Sequence, residues 1–194
     1  MKIDPTTLDI QTLAPLFAAF EESGARLLYV GGCIRNAVRG VAATDIDLST
    51  DATPDQMRRI AKTRGIRAVD TGADHGTLTF FLGGKSYEIT TFRKDIRTDG
   101  RHAEVVFGTS LKDDAARRDF TMNALYAEAS GQVIDPLEGL ADAQTGRLRF
   151  IVKPQARIVE DYLRILRFFR FWARSGDPLE RVDAGALARC AGLP

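Results

Sequence analysis

Apolar residues first recur at helical spacing: Ile10, Leu13, Leu16, Phe17 and Phe20, ending at Ser23-Gly24. Steps of three and four put them on one face, so this stretch predicts an amphipathic helix that covers a sheet and stops at glycine. The run Leu27-Leu28-Tyr29-Val30 reads as a buried strand, and a helical pattern over 33–39 follows, closed by Gly40. Asp45-Ile46-Asp47-Leu48 alternates acid and apolar, which predicts a strand over 45–48 with both acids on one face. Thr53-Pro54 marks a helix start, with Met57, Ile60 and Ala61 as its apolar stripe, and 66–69 reads as a short strand. Residues 77–82 and 86–92 are strand-like and joined at Gly83-Gly84-Lys85, a hairpin.

The second half is less regular. Residues 95–102 are polar, aperiodic and glycine-containing, and predict a mobile loop. Ser110 stands three residues before Asp113, a capping-box-like helix start, with Leu111, Ala115 and Ala116 as a small apolar stripe. Phe120, Met122, Ala124 and Leu125 are candidate core, and Asp135-Pro136-Leu137-Glu138-Gly139 is turn-forming. From Pro154 the pattern is helical, with Arg157, Arg164, Arg167, Arg170 and Arg174 between apolar positions, and a weak helix over 184–190. On one continuous helix, residues 157, 160, 161 and 164 share a face.

Composition narrows the classes. The 194 residues are 44% hydrophobic and 27% charged, as in a globular protein with one ordinary core or a core plus a helical extension. Lys plus Arg is 27 against 26 for Asp plus Glu, a net charge of +1, so any contact with a polyanion must come from local basic faces. Two distant cysteines, Cys33 and Cys190, form no disulfide framework and no thiolate metal spacing, which points to a reducing, cytoplasmic setting. No secretory leader pattern and no apolar run of membrane length is present, so no membrane partner is expected.

The candidate chemistry lies in Asp45 and Asp47. Two carboxylates side by side repel, and a hard cation such as Mg²⁺ relieves them, bound by one or two carboxylates and substrate phosphates. A bare Asp-x-Asp is more often an edge strand with two solvated acids. Upstream, a strand, Gly31-Gly32 and a helix start form a phosphate-sized turn, with Arg35 placed to add a guanidinium fork. Arg117, Arg118 and Asp119 at a helix end read, by themselves, as a solvated ion pair. Glu88 reads as an exposed acid.

In chain order, Gly31-Gly32-x-x-Arg35, Asp45-x-Asp47, Arg117-Arg118-Asp119-Phe120-Thr121-x-Asn123-Ala124 and Glu160-Asp161-x-x-Arg164 resemble the head and neck of the class II tRNA nucleotidyltransferase and bacterial poly(A) polymerase family. The resemblance runs from about Leu27 to about Phe171. It departs at Asn36, where the family usually has Asp, and at Thr44, where it usually has Lys. It implies an α/β or α+β nucleotidyltransferase head with a small mixed sheet over 1–150 and the start of an all-helical neck over 151–194. In that reading Asp45 and Asp47 hold Mg²⁺, and Gly31, Gly32 and Arg35 hold phosphates. Arg117, Arg118, Asp119 and Asn123 position the nucleotide, and Glu160, Asp161 and Arg164 choose the base. The resemblance also offers Glu88 as a third carboxylate beside the pair.

The implied reaction is transfer of CMP and AMP from CTP and ATP to the 3′ end of tRNA. The Asp-Gly-Arg-His pattern at 99–102 favours CCA addition. A poly(A) polymerase, a CC- or A-adding relative, and a non-catalytic nucleotide- or RNA-binding relic stay open. Relatives continue into body and tail regions, so weak tRNA binding, an absent C-terminal region or a homo-oligomer, and exposed apolar surface around Phe168, Phe171 and Trp172 are further expectations.

Overall fold

The computed structural model describes residues 1–43, 45–72, 75–99, 102–107, 110–175 and 184–192. Nine strands are described: β1 (Leu27–Val30), β2 (Asp47–Thr50), β3 (Arg67–Gly72), β4 (Thr77–Leu82), β5 (Lys85–Thr91), β6 (Arg93–Asp99), β7 (His102–Phe107), β8 (Tyr126–Ala127) and β9 (Val133–Ile134). The α-helices are α1 (Ile10–Glu22), α2 (Gly32–Val38), α3 (Pro54–Arg64), α4 (Leu111–Ala116), α5 (Leu140–Thr145), α6 (Pro154–Glu160), α7 (Leu163–Ser175) and α8 (Ala184–Gly192). Seven strands form one mixed sheet in the order β3-β4-β5-β2-β1-β8-β9, and β6 and β7 pair separately. Within the large sheet only β2 and β5 run parallel, and their register sets Asp47 beside Glu88.

Both patterns of periodicity do their expected packing. Leu13, Leu16, Phe17 and Phe20 bury the face of α1 against the sheet, with Phe17 4.9 Å from Tyr29 and Phe20 6.0 Å from Phe80 between ring centroids. The start of α3 is a full capping box: Gln56 N–H donates to Thr53 Oγ1, and Thr53 N–H donates back to Gln56 Oε1. Phe120 packs on Phe150 at 4.7 Å, and Phe150 stacks on Phe168 at 5.8 Å, so Ile158 and Phe168 join the same core as the sheet. The hydrophobic core therefore continues across residue 150 into α6, α7 and α8.

Several expectations change. The strand predicted over 45–48 begins at Asp47 and ends at Thr50, because Leu48, Ser49 and Thr50 are buried while Asp45 precedes the ladder. The predicted loop over 95–102 falls largely within the β6–β7 hairpin, with a register shift between Asp95 and Arg97. Ile96 is the one aliphatic side chain in β6, so periodicity had nothing to count there, and backbone pairing makes the strand. Gly100, Arg101 and Thr44 lie outside the described residues. The β4–β5 turn uses only Gly83 and Gly84, both at positive φ, and Lys85 already pairs with Leu82.

The helical pattern after Pro154 breaks at Asp161, whose extended backbone separates α6 from α7. Phe168 is fully buried and Phe171 and Trp172 partly so, contrary to the exposure expected of them. Among the described residues, the exposed apolar positions around the α6–α7 junction are instead Val159, Tyr162, Leu163 and Leu166.

Candidate active site

The glycine turn is built by the close approach of two elements. Gly31 N–H donates to Leu125 C=O at 2.9 Å, and Gly31 sits at φ 75°, ψ −122°, a conformation that disfavours a side chain. A β-carbon there would also lie 3.5 Å from Arg118 Nη1. Backbone and guanidinium thus meet at one wall of a cavity of about 450 Å³.

That cavity gathers most of the residues singled out in the sequence. Gly31, Gly32 and Arg35 line it from the β1–α2 turn, and Asp45 and Asp47 from the start of β2. Arg117, Arg118, Asp119 and Asn123 enter from the end of α4 and the turn after it, and Asp161 and Arg164 from the α6–α7 junction. Asn36, Arg167, Arg170 and Phe171 also line it, although the motif reading had not assigned them. The arginines at steps of three on α7 were the available signal, since 164, 167 and 170 fall near one face.

The cavity wall is hydrogen-bonded nearly end to end. Asp119 Oδ2 accepts from Arg167 Nε and Nη2, both at 2.6 Å, while its Oδ1 accepts from Asn123 Nδ2 at 3.1 Å. Asn123 Oδ1 in turn accepts from Arg35 Nη1 at 2.6 Å, and Arg35 also donates to Asn36 Oδ1 at 3.0 Å. Asn36 thus serves as an acceptor for Arg35, a role that the amide oxygen fills without a carboxylate. Arg35 and Arg170 both lie against the Phe171 ring, at 5.0 and 5.2 Å from its centroid.

Behind Arg117 and Arg118 stands Asp114, fully buried and absent from the motif reading. Its Oδ1 accepts from Arg117 Nε at 2.9 Å, and its Oδ2 accepts from Arg118 Nη2 at 3.2 Å and from the Tyr126 hydroxyl at 2.6 Å. Burial alone would push this carboxyl up, but Arg118 and Arg117, helped by Tyr126, outweigh it and hold it below the usual carboxylate range. Spacings of three and four from Asp114 to the arginines were visible in the sequence, but nothing there placed Tyr126 beside them.

Glu160 occupies a similar supporting place. It does not line the cavity; its Oε2 accepts from Arg157 Nη1 at 2.6 Å and from Arg164 Nη1 at 2.7 Å. Arg164 Nη1 also reaches Arg157 C=O at 2.9 Å, and its Nη2 reaches Arg117 C=O at 3.3 Å. Three of the five guanidinium donors are engaged in this way, leaving Nε–H and one Nη2 hydrogen. Asp161 uses Oδ1 to accept from Leu163 N–H at 2.9 Å.

The acidic corner is electrostatically crowded. The Asp47 carboxyl is pushed up, first by burial and then by Glu88 and Asp45, against the opposing pull of Arg118. Among the described residues no three His, Cys, Asp or Glu side chains form a ready metal cage. Two crowded carboxylates opening on an arginine-walled cavity fit a cation shared with substrate phosphates. Nearby, Cys33 is buried at the same turn, its thiol pushed up to about 11 by burial and by Asp47, so it is inert packing rather than a nucleophile.

This mixed sheet, with an acidic pair at one strand's start beside a glycine turn, is a fold of the nucleotidyltransferase class. The chain belongs to the poly A polymerase head domain family, whose model matches residues 27–149. It is 42% identical over 172 residues to the CCA tRNA nucleotidyltransferase 1, mitochondrial, of Mus musculus, covering 88% of this chain and 39% of that protein. To the CCA-adding enzyme of Lactiplantibacillus plantarum it is 39% identical over 190 residues, covering 95% of this chain and 45% of the relative. The crystal structure of the Bacillus stearothermophilus CCA-adding enzyme in complex with CTP superposes with a TM-score of 0.80 at 30% identity, over 91% of this chain and 41% of the other. A tRNA nucleotidyltransferase complexed with a primer tRNA and an incoming ATP analog gives a TM-score of 0.72 at 26% identity, over 90% of this chain and 48% of that one. The chain thus spans less than half the length of these relatives.

Proposed function

We propose that the chain carries the nucleotidyl-transfer centre of a CCA-adding tRNA nucleotidyltransferase, taking CTP and ATP as donors and the tRNA 3′ end as acceptor. The observation that carries this reading is the single cavity in which Asp45 and Asp47 face Arg35, Arg117, Arg118 and Arg164. Guanidinium forks suit the non-bridging oxygens of a triphosphate, and those here are fixed in advance by Asp114, Asn123 and Glu160. Gly31 and Gly32 let the phosphates approach the backbone closely. Asp45 and Asp47 would hold a divalent cation, Mg²⁺ by the hardness of the carboxylate oxygens, which when bound neutralises phosphate charge and lowers the pKa of the attacking hydroxyl. Glu88, set beside Asp47 by the β2–β5 register, would be the third carboxylate of that corner.

Base choice would rest on Asp161 and Arg164. Cytosine and adenine both present an amino donor next to a ring-nitrogen acceptor, and a carboxylate beside a guanidinium matches that order. Uracil and guanine present a carbonyl beside an N–H, the reverse order, and meet like against like. Glu160 would act through Arg164, holding it in place. The residues up to about 150 would form the head and those from 151 the beginning of the neck. Two buried free thiols, Cys33 and Cys190, suit a reducing cytoplasmic setting.

The test is incubation of the protein with tRNA lacking its 3′ CCA and with CTP, ATP or both, read on a sequencing gel. Two cytidines with CTP alone and one further adenosine when ATP is added are expected. A long adenosine ladder would assign the site to poly(A) synthesis, and no extension alongside absent nucleotide binding would overturn transfer altogether.

A further inference from the structure

Two guanidiniums, one from α6 and one from α7, grip the end of α4. That helix stops at Ala116, with Arg117 as its C-cap. The last carbonyls of a helix have no partner within it. Arg157 Nη2 donates to Ala116 C=O, and Arg164 Nη2 donates to Arg117 C=O at 3.3 Å. Two successive carbonyls are thus capped by cations, at the end of the helix dipole that favours positive charge.

The same two side chains are tied to each other. Glu160 Oε2 accepts from Arg157 Nη1 at 2.6 Å and from Arg164 Nη1 at 2.7 Å, and Arg164 Nη1 also reaches Arg157 C=O at 2.9 Å. Arg157 Nε completes the set by donating to Ile151 C=O at 3.1 Å. One planar fork therefore joins the end of α4, the segment before α6 and the carboxylate that holds Arg164. The Arg157 side chain is only 11% exposed, and it does not line the arginine-walled cavity. What it joins does line that cavity: Arg117 and Arg118 follow α4 directly, and Arg164 stands across from them.

We propose that Arg157 is a positioning residue for base choice. It fixes Glu160 and the end of α4 at one spacing. Arg164 then presents its remaining Nε–H and Nη2 hydrogen at the distance from the base that the phosphates at Arg117 and Arg118 demand. This inference rests on the base-choice reading of Arg164. Without the fork, Glu160, whose side chain is about a third exposed, carries Arg164 outward. Asp114 still holds Arg117 and Arg118, so the phosphates still bind. The base is then met out of position, and a small misplacement is enough to lose an oriented contact. Lysine cannot replace the fork, because one ammonium on a flexible stem does not span Ile151 C=O, Glu160 Oε2 and Ala116 C=O together.

The experiment is calorimetric titration in Mg²⁺ with CTP, ATP, UTP and inorganic tripolyphosphate. It is run on the 194-residue protein, on Arg157→Lys, on Arg164→Ala and on the double variant, with a thermal melt of each. Arg157→Lys should lower the preference for CTP and ATP over UTP by about five- to tenfold, the scale of one charged contact, and leave tripolyphosphate affinity within about twofold. The double variant should show the same preference as Arg164→Ala alone, since Arg157 acts through Arg164 and the two losses do not add. A merely structural role would weaken all four ligands together. That result, an unchanged preference in Arg157→Lys, additive losses in the double variant, or an unfolded Arg157→Lys protein would overturn the assignment. A parent protein with no preference for CTP and ATP over UTP, or an unchanged preference in Arg164→Ala, would instead remove the reading on which it rests.

Discussion

Asp114 shows how much of the site is decided by a residue that does not line the cavity. One buried carboxylate takes four donors from Arg117, Arg118 and Tyr126 and fixes both guanidiniums at the cavity wall. Removing one partner of such a buried charged group costs about 3–5 kcal/mol, because the arginines are left desolvated and unpaired. Asp114→Asn should therefore destabilise the fold by that order and weaken nucleotide binding. The sign with pH follows from the depressed folded value. Its contribution is complete above the ordinary carboxylate pKa of about 3.9 and is lost as pH falls through the lower folded value. Denaturant unfolding from neutral to strongly acid pH should show the gap between parent and Asn variant closing only at the acid end. A gap constant with pH would mean that the charge of Asp114 does not carry the effect.

The same residue marks a limit of legibility. Arg117, Arg118 and Asp119 stood out because they belong to an ordered motif, whereas Asp114 sits next to Asp113, the partner of the capping residue Ser110, and reads as one more surface acid. Its burial depends on Tyr126, which lies in a two-residue strand too short for any periodic signal.

At the scale of elements, the break between α6 and α7 matters most. A continuous helix would have put Glu160, Asp161 and Arg164 on one exposed face. The extended backbone at Asp161 instead turns Asp161 and Arg164 into the cavity and leaves Glu160 behind as the anchor of Arg157 and Arg164. Three- and four-residue spacing could identify the group but could not see its division of labour, since nothing in Glu160-Asp161-Tyr162 is a helix breaker of the Gly or Pro kind. Arg164→Ala should relax the preference for CTP and ATP over UTP by roughly 1–3 kcal/mol, the worth of one good bidentate base contact. Competition titrations of CTP, ATP and UTP on the same preparation measure it, and an unchanged ranking would remove Arg164 from base choice. The β6–β7 hairpin escaped prediction for a different reason: β6 is polar and carries almost no apolar alternation, and the apolar residues of β7 come only after the polar stretch 95–102, so only the pairing reveals the hairpin.

Across the whole molecule, the apolar runs and helical stripes were sufficient to read strands and helices mixed in the first part of the chain and helices after Pro154, while the fold class came from the resemblance of the ordered motifs. The order of strands was not, because the parallel β2–β5 pairing joins residues about forty positions apart. That pairing brings Glu88 to Asp47 and divides the surface around the acidic pair into an arginine-walled side and an acidic side. The central claim is that Asp47 and its neighbours hold a nucleoside triphosphate through a divalent cation in the arginine-walled cavity. Calorimetric titration of CTP into the protein and into Asp47→Ala, each with and without Mg²⁺, tests it most directly. Mg²⁺ should tighten CTP binding to the parent protein and have no effect on an equally well-folded Asp47→Ala variant. Equal Mg²⁺ enhancement in both proteins would contradict the account.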